Sequence, residues 1–176
     1  MKKLKVATVW LDGCSGCHMS LLDIDAAVIS LASKIDLVYG PLVDAQEFPE
    51  GVDVTLVEGA VSSQDDLHKI QKIRQRTAIL VSMGDCAVTG NVPAMRNSIP
   101  VHRLLHRVYV EGVDECKGVP TEGVPALLKQ ARPVREFVKV DLCLPGCPPP
   151  SKSIAGVIAA VLEGRKPDAN MTVKFG

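Results

Sequence analysis

Short aliphatic and β-branched runs, apolar nearly throughout, alternate with helix-like stretches along the chain, and this alternation limits the fold more than any other feature. The first run, Val6-Ala7-Thr8-Val9-Trp10-Leu11, ends in the turn-forming pair Asp12-Gly13 and predicts a strand followed by a loop. Beyond it Leu21, Leu22, Ile24, Val28, Ile29 and Leu31 recur at helical spacing from a Ser20 cap, so one amphipathic helix is expected there. Ile35 to Tyr39, closed by Gly40-Pro41, is a second strand, and Val52 to Val57 a third. The next helix starts at Ser62 or Ser63, with Asp65 and Asp66 in its first turn and Arg74 and Arg76 at its end, as the helix dipole favours. Ala78 to Met83 and Glu136 to Leu142 are the fourth and fifth strands, and a last helix runs from about Ser151, after three prolines, to Gly164. Strands that are nearly continuous Val, Ile and Leu belong in a parallel sheet covered on both faces. The expected architecture is a doubly wound, flavodoxin-like α/β fold, with residues 1–176 forming a single domain. Between Gly90 and Arg135 the pattern weakens. Leu104, Leu105 and Val108 fit a short helix, and Glu111 to Pro125, rich in Gly, Pro and charge, reads as an excursion over the surface or onto a partner.

Composition narrows the function. Basic and acidic residues number 20 each and cancel, and only 3% of residues are aromatic, so neither an electrostatic footprint on nucleic acid nor base stacking is supported. With 47% hydrophobic residues the core must be aliphatic, and the surplus apolar surface is expected to face a partner chain. The first apolar run breaks at Asp12, which is too early for a secretory signal, and no twin-arginine pair is seen there. The longest apolar window, Ile154 to Leu162, falls well short of the ~20 residues of a membrane span. A soluble, cytoplasmic protein is therefore expected. In that compartment six cysteines point to metal binding or redox chemistry rather than to disulfides.

Four of those cysteines fall where strands end. Cys14-Ser15-Gly16-Cys17 follows the first strand, Gly84-Asp85-Cys86 the fourth, and Pro145-Gly146-Cys147-Pro148-Pro149 the fifth. The carboxyl ends of parallel strands share one edge, where ligands of open α/β sheets bind, so three loops bring four thiols together. Four thiolates on Gly- and Pro-rich loops match the ligand set of a cubane [4Fe–4S] cluster, and also that of a structural zinc. Gly13, Gly16, Gly84, Gly90 and Gly146 favour the cluster, because they let backbone approach a bulky inorganic core and offer N–H groups to its sulfurs. A thioredoxin-like dithiol and plain core thiols are the remaining readings.

Other residues draw weaker expectations. Cys143 is expected to be a buried thiol at a strand end and Cys116 a bystander in the charged excursion. Glu58-Gly59 follows the third strand, which the flavodoxin strand order sets between the first and fourth. Glu58 there is a hydrogen-bond acceptor beside the thiols, an interface carboxylate, or an ordinary residue on the approach to a helix. His102 and His106, four apart, could share a helix face as metal ligands, but with Arg103 and Arg107 beside them they read as a solvated or partner-facing surface, and His18 as a packing or solvent-facing residue or a modulator beside Cys17. Asp23 and Asp25 are expected early in the first helix, complementing its dipole.

The motifs together resemble the small-subunit family of [NiFe] hydrogenases and its relative, the 20 kDa subunit of respiratory complex I. The matching pieces are Asp12-Gly13-Cys14-Ser15-Gly16-Cys17, Val57-Glu58-Gly59-Ala60-Val61, Gly84-Asp85-Cys86-Ala87, Thr89-Gly90-Asn91-Val92-Pro93-Ala94, and Val140-Asp141-Leu142 leading into Leu144-Pro145-Gly146-Cys147-Pro148-Pro149. The resemblance implies that Cys14, Cys17, Cys86 and Cys147 ligate a proximal [4Fe–4S] cluster, and that Cys143 and Cys116 match no ligand position. Complex I subunits carry two adjacent cysteines at the first position, whereas Ser15 and Gly16 split the pair here, as in hydrogenases. Without the twin-arginine signal and second cluster-bearing region of periplasmic small subunits, the chain is most similar to the cytoplasmic, bidirectional NAD(P)-reducing type. The coenzyme-F420-reducing and sulfhydrogenase types are more distant alternatives. The implied role is electron transfer through this cluster, between a Ni–Fe centre on a large subunit and a diaphorase module carrying FMN and NAD. The H₂-activating site is then not on this chain.

Overall fold

A computed structural model describes residues 3–115 and 118–165. Its main sheet has five parallel strands in the order β2-β1-β3-β5-β7: β1 (Leu4–Trp10), β2 (Ile35–Tyr39), β3 (Val52–Glu58), β5 (Thr77–Met83) and β7 (Leu142–Leu144). That is the doubly wound order expected from the sequence, and it sets β3 between β1 and β5. A short antiparallel ribbon, β4 (Val61–Ser63) with β6 (Leu127–Arg132), lies outside the main sheet and has no counterpart among the expected strands.

Side chains alternate between two apolar layers. Ala7, Val9, Val57 and Leu80 pack on one face with Ile70 and Ile73 of α3 (Gln64–Arg76), whereas Val54, Leu56, Val81, Met83 and Leu144 pack on the other with Ile154, Val157 and Ile158 of α7 (Ser151–Leu162). Both helices begin where the sequence places them. At α3, Ser63 Oγ accepts the Asp66 N–H at 3.1 Å and the Asp66 carboxylate accepts the Ser63 N–H at 3.0 Å, a capping box that satisfies two otherwise unpaired donors. Among the described residues no helix is long and apolar enough to cross a membrane.

Two expected elements differ. The single helix after β1 is two, α1 (Gly16–Leu22) and α2 (Ala26–Ala32), with Asp25 between them at φ +54°. Ser20 is therefore no cap: it is buried inside α1 and donates its hydroxyl to Pro149 O at 2.5 Å. Asp23 closes the carboxyl end of α1, where the dipole does not favour an anion, so the dipole account fails for Asp23, whereas Asp25 precedes α2 at its N-cap, where a negative charge is favoured. The fifth strand begins later than expected. Val134–Glu136 form a 3-10 turn, and Phe137, Val138 and Val140 pack against the core as irregular chain. Asp141 then starts the pairing with its side chain, Oδ2 accepting Leu80 N at 2.9 Å and Arg74 Nη1 at 2.6 Å.

The segment after β5 runs through short helices, α4 (Asp85–Thr89), α5 (Asn91–Ala94) and α6 (Val101–His106), the last continued by one π turn, Arg107–Glu111. From Gly112 to Ala126 the described residues form no helix or strand and are nearly all exposed, in line with a surface excursion. Cys116 lies outside the described residues.

Candidate functional site

The loop after β1 is fastened to the end of β3. Leu11 N donates to Glu58 O at 2.9 Å, and Asp12 and Ala60 exchange backbone bonds at 3.1 and 2.8 Å. This crossing needs glycine: a Cβ on Gly59, which sits at φ +94°, would lie 2.8 Å from the Asp12 carbonyl oxygen. Cys14 is exposed at the tip of the loop, and Cys17 is buried in the first turn of α1.

The loops bearing Cys86 and Cys147 are latched to each other. Gly84 N donates to Leu144 O at 2.8 Å, Asp85 N to Gly146 O at 2.9 Å, and Gly146 N to the Asp85 carboxylate at 2.7 Å. Cys86 is half-buried on α4, and Cys147 is exposed just beyond the latch. The Cys17 thiol rests on the bare Cα of Gly84, where a Cβ would collide with its Sγ. The Ser20 to Pro149 bond closes the remaining side, so each of the three loops is tied to another.

The three loops bring their thiols within electrostatic reach of one another. Burial first, then the charges of Glu58, Cys86, Cys14 and Cys147, push the Cys17 thiol well above its ordinary range. Burial also raises Cys86, followed by Cys147 and Cys14, while a hydrogen bond from the Val92 backbone N–H pulls the other way. Asn91 Nδ2 approaches Cys147 Sγ at 3.7 Å. Thiols that oppose one another's ionisation are suited to a shared cationic core, which stabilises the thiolate form each must adopt as a ligand. Among the described residues no three His, Cys, Asp or Glu side chains converge as one ion would require. A tetrahedral zinc with Zn–S near 2.3 Å draws its sulfurs to within ~3.8 Å of each other. The bare Gly84 backbone against Cys17 and the Asn91 donor beside Cys147 Sγ fit an iron–sulfur cube, whose sulfurs accept N–H groups, better than a single ion.

Glu58 is only 2% exposed at the end of β3. Its carboxylate accepts Cys17 N at 3.4 Å and His18 N at 3.0 Å, and it also pairs with His18 Nδ1. Ser15 makes no side-chain cap, so Glu58 caps α1 from a neighbouring strand. Burial opposes its charge, but the side-chain and backbone donors of His18 prevail and hold the carboxyl below its usual range. His18, for which the sequence suggests a packing or solvent role or a modulator beside Cys17, is thus part of the site, and its Nε2 is buried with no partner among the described residues.

Cys143 departs from expectation. It is exposed, because on edge strand β7 Leu142 and Leu144 take the face covered by α7 and Cys143 takes the other. His102 and His106 lie away from the thiols, beside a shallow cavity with Arg103, Leu105, Glu111 and Val119, and His106 pairs with Glu111 at 3.1 Å. Sequence reasoning missed Asp85, whose position beside a cysteine was its only local signal.

Five parallel strands with three cysteine-bearing loops on their carboxyl edge define a doubly wound α/β architecture that presents its thiols where such sheets bind ligands. The chain belongs to the family of the NADH ubiquinone oxidoreductase 20 Kd subunit, whose model matches residues 14–161. It is 41% identical over 93% of its length to a subunit of the F420-non-reducing hydrogenase vhu of Methanocaldococcus jannaschii, and it spans 58% of that protein. It is 38% identical to the NAD-reducing hydrogenase HoxS subunit delta of Cupriavidus necator, covering 93% of this chain and 80% of that subunit. A chain in the crystal structure of an NAD+-reducing [NiFe]-hydrogenase superposes with a TM-score of 0.94 at 36% identity, over 99% of this chain and 100% of that one. A [NiFeSe]-hydrogenase chain from Dm. baculatum, at 21% identity and a TM-score of 0.63, shares the fold, over 93% of this chain and 63% of its own.

Proposed function

We propose that this chain is the electron-transfer small subunit of a cytoplasmic NAD-reducing [NiFe] hydrogenase, holding one [4Fe–4S] cluster on Cys14, Cys17, Cys86 and Cys147. The observation that carries the reading is the gathering of these four thiols by three mutually latched loops on the sheet's carboxyl edge. The likeness to the NAD+-reducing enzyme over the whole of its matching chain supports the type. A second reading, a subunit of the F420-non-reducing type, draws on the 41% identity to the archaeal hydrogenase chain.

The cluster would supply one-electron transfer between a Ni–Fe centre on a large subunit and the flavin and NAD of a diaphorase module. This chain's residues hold and shield it. Gly84 and Gly59 let backbone and thiol approach closely, Asp85 keeps two ligand loops in register, and Val92 N–H and Asn91 Nδ2 direct donors at sulfur. Anaerobic native mass spectrometry of the purified complex, with iron and sulfide analysis, tests the assignment. Cys86→Ser and Cys147→Ser are expected to remove or convert the cluster and to abolish H₂-dependent NAD reduction. Full iron, sulfide and activity in either variant would reject the ligand set. Iron-free wild-type chain with a cycling Cys14–Cys17 dithiol would mark a thiol oxidoreductase instead.

A further inference from the structure

Backbone and side-chain donors are divided unequally around the four thiols. Beside Cys86 and Cys147 they go to sulfur, from Val92 N–H and from Asn91 Nδ2. On the Cys17 side the N–H groups of Cys17 and His18 go to the Glu58 carboxylate, which is buried at the end of β3. Donors to sulfur stabilise the more negative, reduced state of a cluster, whereas a carboxylate buried beside it opposes the added electron. We propose that Glu58 is a positioning residue that seats Cys17 against Gly84 and, through its buried negative charge, holds the reduction potential of the cluster down; this rests on the cluster assignment above. Glu58 acts through the helix it caps, since the first turn of α1 carries Cys17 and meets β3 at this carboxylate.

The experiment is a redox titration, monitored by electron paramagnetic resonance, of the full chain purified anaerobically, with iron and sulfide counted in every sample. Glu58→Gln keeps an oxygen for the α1 donors and removes the charge, while Glu58→Asp keeps the charge. The Gln variant is expected to retain its cluster and to be reduced at least about tenfold more favourably, which for a one-electron couple is about 59 mV upward. The Asp variant should stay near the wild-type potential. An unshifted Gln variant with a full cluster overturns the proposal, and so does loss of the cluster from Gln, with or without Asp, because Glu58 would then be scaffold alone. A wild-type chain free of iron and sulfide rejects the cluster assignment itself, which separates the two failures.

Discussion

Gly84 sits at φ +85° with the Cys17 thiol against its Cα, so two separate constraints exclude a side chain there. The positive φ strains any L-residue, and a methyl group would occupy the space of the sulfur. Gly84→Ala is therefore expected to destabilise the protein by about 1–3 kcal/mol and to displace Cys17. Its iron content should fall below that of the wild type while far-ultraviolet circular dichroism stays native-like; a variant with full iron and an unchanged Tm would refute the close-packing argument. At this scale the four cysteines were legible because a thiol after each of three strand ends is a local signal. The work of Glu58 was only half legible. A cap donated by another strand leaves no motif in the helix it caps, so the sequence placed the carboxylate near the thiols without showing what it binds.

Asp141 shows how a side chain can decide where an element begins. It sits one residue before β7 and takes the Leu80 N–H and the Arg74 guanidinium, so it substitutes for a backbone partner of β5. Burial works against its charge, but the Leu80 N–H and Arg74 outweigh it and hold the carboxyl below its ordinary range. A depressed folded pKa means the contribution to stability is fully present above the unfolded value, about 3.9, and is lost as pH falls through the lower folded value. Asp141→Asn is expected to unfold more easily than the wild type at neutral pH, by about 1–3 kcal/mol. The gap should narrow in acid, below about pH 4. Urea midpoints across that range provide the measurement, and a gap independent of pH would contradict the role given to the charge. The sequence reading starts this strand too early because Phe137, Val138 and Val140 are as apolar as a strand, yet they pack as irregular chain. Burial alone does not distinguish the two.

At the scale of the whole molecule, large apolar side chains stand exposed among the described residues. Trp10 is 47% exposed, Ile29 77%, Leu42 76% and Met95 75%. Trp10 lies at the end of β1 and donates Nε1–H to Gly13 O at 3.2 Å, which puts an exposed indole beside the first cysteine loop. Because the chain holds one tryptophan, its fluorescence reports this edge alone. On the proposed assembly with a large subunit, its emission should shift to the blue and resist quenching by iodide. The isolated chain, by contrast, is expected to self-associate on size-exclusion chromatography with light scattering. Unchanged emission in the assembled complex would place the partner on another face.

What the sequence determined by itself was the alternation of strands and helices, the parallel sheet and the three cysteine loops, because each is written in local periodicity, turn chemistry and spacing. What only the tertiary structure decided was how those loops lock together. The Asp12–Ala60 crossing, the Asp85–Gly146 latch and the Glu58 cap each join residues far apart in the chain. Such pairings depend on strand order and on the close approach of backbones at glycine, which no local pattern of residues encodes.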